Sequence, residues 1–408
     1  MDLSYSDADE AFRAEVRTFL EDSLAGEWRA LRGLGGPGRD HEALEERLAW
    51  NQYLAREGWT CVGWPTEHGG RGLPLWQQVI FYEEYARANA PARVNHLGEE
   101  LLGPTLIAFG TDAQRARFLP PIVAVEELWA QGYSEPNAGS DLANVQTRAR
   151  LTDDGSQWVV DGQKVWTSNA HFSQWVFVVA RTEPGSERHQ GLSFLMVPLD
   201  QEGVEVRPIE QLTGGSEFNE VFFSGAVTDA DLVVGEPGRG WGVAMGLLGF
   251  ERGVSTLGQV VGFQRELALV CERARSNGTI DDPVVRDRLA SLTVELSVMR
   301  NFGLRGLSAV EGGSDSAAGG GAGSIFKIVW ANWHQRLGEV AMEVVGRDGL
   351  LAADAPYELD ELQRIFLFAR ADTIYGGSDE VQRNILAERV LGLPREPKAT
   401  HAPREARG

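Results

Sequence analysis

The sequence predicts an α+β chain of three successive regions: a helical N-terminal domain over 1–125, a middle antiparallel β domain over 126–236 and a C-terminal four-helix bundle over 237–395. Three observations carry this. Apolar residues recur at helical spacing up to about residue 125. Short β-branched and aromatic runs, about ten residues apart, fill the middle. Helical periodicity then returns from Trp241. At 408 residues the chain exceeds the size at which one core keeps growing, so several packed regions are expected.

The first helix is predicted from Phe12, Val16, Phe19 and Leu20, spaced i, i+4, i+7 and i+8, with Ser6 or Asp7 as its cap. Similar patterns run through "EALEERLAWNQYLAREG" and "LWQQVIFYEEYARAN", separated by the loops "GLGGPGRD" and "GWPTEHGGRGLP". "SQWVVDGQKVWTS", "QWVFVVARTE", "GLSFLMVPLD" and "VEVRPIEQL", bounded by Asp-Gly, Pro-Gly and Glu-Gly, read as strands of a barrel or sandwich that ends near "GEPGRGW". Four long helical segments follow, broken at "SNGTIDDP" and at the Gly-rich stretch 311–324, which reads as a flexible inter-helix loop. The tail 396–408 reads as flexible, and there is no internal repeat.

The net charge of −21, from 59 acidic and 38 basic residues, argues against nucleic acid or an anionic membrane as partner. It leaves room for an anionic small ligand, because local donors outweigh distant charge beyond a Debye length of about 8 Å. Two cysteines, Cys61 and Cys271, make neither a disulfide framework nor a metal set, so no metal site is expected. With no signal peptide and no apolar run near the ~20 residues of a spanning helix, a cytoplasmic protein is expected.

Two stretches offer chemistry on local grounds. In "GYSEPNAGSDLANVQTRA", Gly132 to Ala149, the hydroxyls of Ser134 and Ser140 and the small Ala138 and Gly139 allow a planar or phosphorylated ligand to approach the main chain; a capped turn entering a strand explains the same residues. In "DGQKVWTSNA" an Asp-Gly hairpin would lead into a strand placing Trp166 and Ser168 on one face, a plate and a hydroxyl suited to a flat heteroaromatic ring.

Taken in order with "GWPTEHGGRGLP", "GWGVAMGLLGFERG" and "IYGGSDEVQRNILAERVLGLPRE", these stretches make the chain from about 5 to 395 resemble the acyl-CoA dehydrogenase family of flavoproteins. The resemblance implies the three-domain fold and FAD bound between the β domain and the bundle. It also implies an acyl-CoA substrate, electron-transfer flavoprotein as acceptor, and a homotetramer or a heterotetramer with a sister chain. By motif position, Tyr133, Ser134, Gly139 and Ser140 would lie along the flavin and the acyl-CoA entry, Ser140 near the CoA phosphates. Trp166 would flank the isoalloxazine, Ser168 would face flavin N5, and Ser378 and Glu380 would contact the adenine half. Tyr375 and Arg252 are implied at the substrate site. The implied reaction removes an α proton while a β hydride passes to flavin N5, with the thioester carbonyl held by a ribityl hydroxyl and a backbone N–H.

Many members carry the base in a Tyr-Glu-Gly-Thr loop, where this chain has Tyr375-Gly376-Gly377-Ser378. Gly376 keeps the N–H but supplies no carboxylate. Asp379 and Glu380 are nearby, yet acids at a helix start are explained by the free amides there. The better base is Glu251, on a stripe with Leu247, Val254 and Val261; a carboxylate in apolar surroundings rises toward the pKa useful for a base. Isovaleryl-type members carry their base at this position, directly before an arginine, as Glu251 precedes Arg252. A structural glutamate paired with a distant arginine is the alternative. Where the family has a Gln and a second Gly at the adenine end, this chain has Glu343 and Arg347, so Arg347 or another subunit is expected to supply that contact.

Formation of a trans-2-enoyl-CoA by Glu251 is therefore expected. The alternatives are a subunit completing a shared FAD site in a sterol side-chain type heteromer, and oxidase or hydroxylase chemistry on the same fold.

Overall fold

In the computed structural model, which describes residues 5–250, 255–311, 321–352 and 358–395, the amino-terminal region is built from five helices: α1 Asp7–Ser23, α2 Leu44–Arg56, α3 Leu75–Arg87, α4 Gly103–Phe109 and α5 Asp112–Ala124. Ser6 caps α1 in a reciprocal box with Asp9, and Thr111 caps α5 in the same way with Gln114, each pair satisfying amides that the first turn leaves free. The predicted apolar stripe of α1 is buried at Phe12, Val16 and Leu20. It packs on a group of rings in which Phe19 and Phe81 both stack against Trp59, at 5.3 and 5.6 Å.

Eight strands follow: β1 Trp129–Gly132, β2 Arg148–Leu151, β3 Gln157–Ser168, β4 Trp175–Arg181, β5 Leu192–Pro198, β6 Val204–Ile209, β7 Phe218–Asp229 and β8 Val233–Val234. They lie in the order β6-β7-β3-β1-β4-β5-β8, with β2 beside β3 and β4. The pairings are antiparallel except β1 with β4 and the single β2–β4 pair, which are parallel. Val178, Leu195, Val197 and Val221, none of them exposed, form the sheet's core.

Asp161-Gly162 is not the hairpin turn expected from the dipeptide. It lies inside β3, where the register against β7 slips between Val160 and Asp161 and the Asp161 carboxylate accepts the Gly225 N–H at 2.8 Å. Gly is required here because a Cβ at Gly162 would stand 2.7 Å from the Thr147 Cα, and its φ of 150° disfavours a side chain. Pairing along β3 and β7 overrides the local turn signal.

The carboxy-terminal region consists of α6 Gly240–Phe250, α7 Ser255–Ser276, α8 Pro283–Glu311, α9 Gly321–Val345, α10 Glu361–Ala369 and α11 Asp379–Ile385. Three long helices, α7 to α9, are completed by the short α10, so the fourth bundle position is filled by 9 residues rather than a long segment. Part of the expected loop 311–324 is helical, because α9 begins at Gly321; 312–320 lie outside the described residues, as does the tail 396–408. Trp333, fully buried between α8 and α9, donates to the Leu292 carbonyl at 3.0 Å. Bundle and amino-terminal region meet where α7 crosses α3: a Cβ at Gly258 would stand 3.1 Å from the Tyr82 Cβ.

Candidate functional site

The far end of β3 presents Trp166, which is 57% exposed although it is a large apolar residue. A second register slip, between Lys164 and Thr167, places Trp166 in left-handed backbone with φ 58°. A bulky residue in that region is strained, and such strain concentrates at functional positions. Phe218 meets the indole edge-on at 6.2 Å, Thr167 turns inward, and half-buried Ser168 pairs with Gln131 and Phe218. Regular alternation is interrupted at this slip, so Trp166 is exposed, Thr167 is buried and Ser168 is half-buried in an irregular strand end rather than along one pleated face.

The Gly132–Ala149 stretch is anchored by a pair that sequence reading missed. Glu135 accepts the amides of Gln146 and Thr147 at 2.6 and 2.9 Å and the Lys164 ammonium at 2.8 Å. Lys164, fully buried, also donates to the carbonyls of Tyr133 and Val179 at 3.1 and 2.8 Å. Burial opposes ionisation of Glu135, but Lys164 and the amides outweigh it and hold the carboxyl below its usual range. The signal was Lys164 standing at the inward parity of Trp158 and Val160. Tyr133 is buried between Phe177 and Phe194, its hydroxyl 3.5 Å from the Ala244 carbonyl of α6. Ser134 is half-buried and its carbonyl accepts the Val165 N–H; Gly139 and Ser140 are exposed, and a Cβ on Gly139 would meet nothing.

The loop Gly33–Asp40, which sequence reading treated only as an interruption, joins the sheet to the bundle. The Gly38 N–H donates to Glu217 at 2.8 Å, its carbonyl accepts from Arg364 of α10 at 3.1 Å, and a Cβ there would press on Thr213 and Phe368. Around this junction Thr167 Oγ1, Gln211 Nε2, Thr213 Oγ1 and Glu217 Oε2 are buried without a partner among the described residues. Unsatisfied buried polar atoms are costly, so this group of them makes the junction a candidate for ligand contact. Burial and the neighbouring Glu217 push the Asp40 carboxyl up to about 7. The same loop borders a cavity of about 420 Å³ shared with α3 and α7 and lined by Gly35, Arg39, Tyr82, His96, Gly258 and Arg265.

Phe368 leads to the third component, its ring 6.5 Å from that of Tyr375. After α10 the chain turns through Arg370–Ser378, with Gly376 and Gly377 at φ 62° and 86°. Fully buried Gln382 donates to the carbonyls of both glycines at 3.1 and 3.3 Å, and a Cβ on Gly377 would stand 2.5 Å from its amide nitrogen. The Gly376 N–H has no acceptor among the described residues. Ser378 caps α11 through the Val381 N–H at 3.4 Å. Its hydroxyl and the helix-start backbone hold the exposed Glu380 carboxyl low, backbone first. Asp379 reaches back into the bundle, accepting from Asn332 at 2.7 Å. Glu380 thus interacts with the helix start, whereas Asp379 is held by the bundle rather than by the helix-start amides.

Glu251 and Arg252, the expected base and its neighbour, lie outside the described residues, as does Val254; Leu247 of the same stripe is fully buried. Arg347 is exposed on the turn after α9, remote in sequence from the junction, and Glu343 is paired with Arg288 of α8. Among the described residues no cluster of His, Cys, Asp and Glu is arranged to hold a metal ion, and no helix is long and apolar enough to cross a membrane.

Comparison with known proteins places this geometry in context. The models of the acyl-CoA dehydrogenase N-terminal, middle and C-terminal domains match residues 6–126, 130–226 and 238–391. The chain is 62% identical, over 95% of its length and 98% of the relative's, to acyl-CoA dehydrogenase IpdE1 of Mycolicibacterium smegmatis. It is 63% identical, over 95% and 99%, to the IpdE1 of Mycobacterium tuberculosis. Among solved structures it resembles the Tcur3481-Tcur3483 steroid ACAD, with TM-score 0.83, 30% identity and 97% and 100% of the two chains covered. The ChsE4-ChsE5 complex of Mycobacterium tuberculosis gives TM-score 0.79 and 30% identity over 97% and 100%.

Proposed function

From the premise that the chain belongs to the acyl-CoA dehydrogenase family, an FAD-dependent group of oxidoreductases, we propose that it dehydrogenates an acyl-CoA thioester between the α and β carbons with Glu251 as base. The residues present fit FAD: Trp166 offers an exposed indole face, and the orphaned Thr167, Gln211, Thr213 and Glu217 atoms offer partners at the sheet–bundle junction. When bound, FAD supplies the acceptor for the β hydride.

The observation that carries the reading is the Gly376 N–H, which is held on a turn fixed by Gln382 and lacks an acceptor among the described residues. A donor aimed at the thioester carbonyl stabilises the enolate that forms as the α proton leaves. Trp166 and Ser168 position the flat ring, while Ser134, Gly139 and Ser140 border the entry. Ser378, Glu380 and Arg347 are the proposed contacts to the adenine half, and Tyr375 and Arg252 to the substrate. The cavity beside α7 is the proposed receptacle for the acyl group. Electron-transfer flavoprotein is the proposed acceptor.

Because the chain offers no carboxylate at 376, the base must come from elsewhere, and Glu251 follows the stripe of buried Leu247. Glu251→Gln should stay folded and yellow while turnover falls by about 10²–10⁴, the usual contribution of a general base. Retained turnover would remove Glu251 from this role.

A second reading is favoured by the solved relatives, two of which are described as paired chains, Tcur3481-Tcur3483 and ChsE4-ChsE5. The chain then completes its flavin site with a sister subunit. The exposed Arg347 and the pairing of Glu343 with Arg288 support a shared adenine end.

A further inference from the structure

We propose that His334 is a positioning residue for this site: with Asp372 and the Tyr375 hydroxyl it forms a buried relay from the bundle core to the Gly376 turn and sets the direction in which the Gly376 N–H is presented. The proposal rests on the functional reading above, in which that N–H meets the thioester carbonyl.

His334 is buried in α9, its ring 4.7 Å from Phe263 of α7. Its Nδ1 lies 2.5 Å from Asp372 Oδ2, and its Nε2 faces Glu266 of α7 at 2.8 Å in an ion contact rather than an aligned hydrogen bond. Asp372, 1% exposed, uses its other oxygen to accept the Tyr375 hydroxyl at 2.7 Å, one residue before Gly376. The Asp372 carbonyl accepts the Lys327 ammonium, which also lies 5.1 Å from the centre of the Tyr375 ring. An imidazolium held between two carboxylates makes a charge-assisted hydrogen bond to Asp372, about twice as strong as a neutral one, and so resists rotation of Asp372. Burial disfavours the charge, but Glu266 and Asp372 outweigh it and raise the His334 pKa to about 10.

A relay of this kind differs in its kinetic signature from an ion cluster that only stabilises the bundle. A donor that strengthens as the enolate forms acts on kcat, because the interaction is greater in the transition state than in the bound substrate. A slight misdirection of that donor therefore lowers kcat and leaves KM nearly unchanged. Tyr375→Phe removes one hydroxyl from a partly exposed side chain and tests the last link without threatening the fold, whereas His334→Gln and Asp372→Asn test the buried links.

The experiment uses flavin-loaded protein, steady-state dehydrogenation of an acyl-CoA, and infrared difference spectra of the bound thioester carbonyl. Each of the three variants should lose about tenfold in kcat with KM within about twofold. The carbonyl band should move to higher frequency, and the Tyr375→Phe/His334→Gln double variant should be no worse than the poorer single, as links in series require. Variants with kcat within about twofold of wild type and an unshifted band, or variants that raise KM alone, would overturn the relay and leave the functional reading intact. Flavin-loaded wild type that dehydrogenates no acyl-CoA would overturn the functional reading, and the relay with it.

Discussion

At the residue scale, one buried pair governs the loop that carries Ser134 and Ser140. Lys164 has no exposure and spends its donors on Glu135, Tyr133 and Val179, so Lys164→Met should leave the Glu135 carboxylate uncompensated. Breaking a buried pair from one side costs about 3–5 kcal/mol. Thermal or denaturant unfolding should show that loss, and Lys164→Met/Glu135→Gln should recover part of it. A single Lys164→Met variant as stable as wild type would remove the pair from its anchoring role. Candidates such as Trp166 and Gly376 could be nominated from the sequence because an aromatic beside a hydroxyl, or a glycine where the family resemblance implies a loop carboxylate, is a local signal. The Lys164–Glu135 and His334–Asp372 pairs were not, since the partners are 29 and 38 positions apart and only the folded chain joins them.

At the scale of elements, α9 holds the Gly376 turn from one side with four residues. Gln335 donates to Thr373 at 2.9 Å, His334 and Lys327 hold Asp372, and Asn332 holds Asp379. The pH dependence of this grip has a definite sign. His334 is raised from an ordinary 6.5 to about 10 in the folded chain, so its contribution is fully present below pH 6.5 and is lost as pH rises through 10. Among the described residues, Glu266 from α7 and Asp372 from the turn face it, with Tyr375 from the turn and Lys327 from α9 itself bonded to Asp372. Between pH 6.5 and 10 the denaturant midpoint of wild type should therefore fall more steeply than that of His334→Gln. Parallel curves would show that His334 does not bind its proton more tightly when folded. Element type was readable from periodicity, but the Asp-Gly dipeptide misled within β3, because pairing with β7 over its full length is a non-local force.

At the scale of the whole molecule, the three regions are tied through ion networks as well as apolar cores. Glu83 of α3 receives Arg13 from α1 at 3.2 Å and Arg300 from α8 at 2.7 Å, joining the amino-terminal helices to the bundle. The Gly38 junction then links the sheet to α10. If a sister subunit completes the adenine end, the chain produced alone should be nearly colourless and become yellow on co-expression with that subunit, read as flavin absorbance per chain. Full flavin loading of the isolated chain would exclude the requirement. The succession of helical, β and helical regions was legible because each has its own period, 3.6 or 2 residues. Their mutual placement was not, because it depends on contacts such as Gly258 on Tyr82 that leave no periodic trace.

The left-handed backbone at Gly376 also has a historical consequence. With φ 62° this position suits glycine, and a side chain there costs about 1–2 kcal/mol. A glutamate introduced at 376 by one codon change would therefore begin strained, on a turn whose next residue, Gly377, has no room for a Cβ beside Gln382. On the proposed reading, with Glu251 as base, transferring that role to position 376 would require the backbone to change first, so the two placements are separated by a valley rather than by a single step.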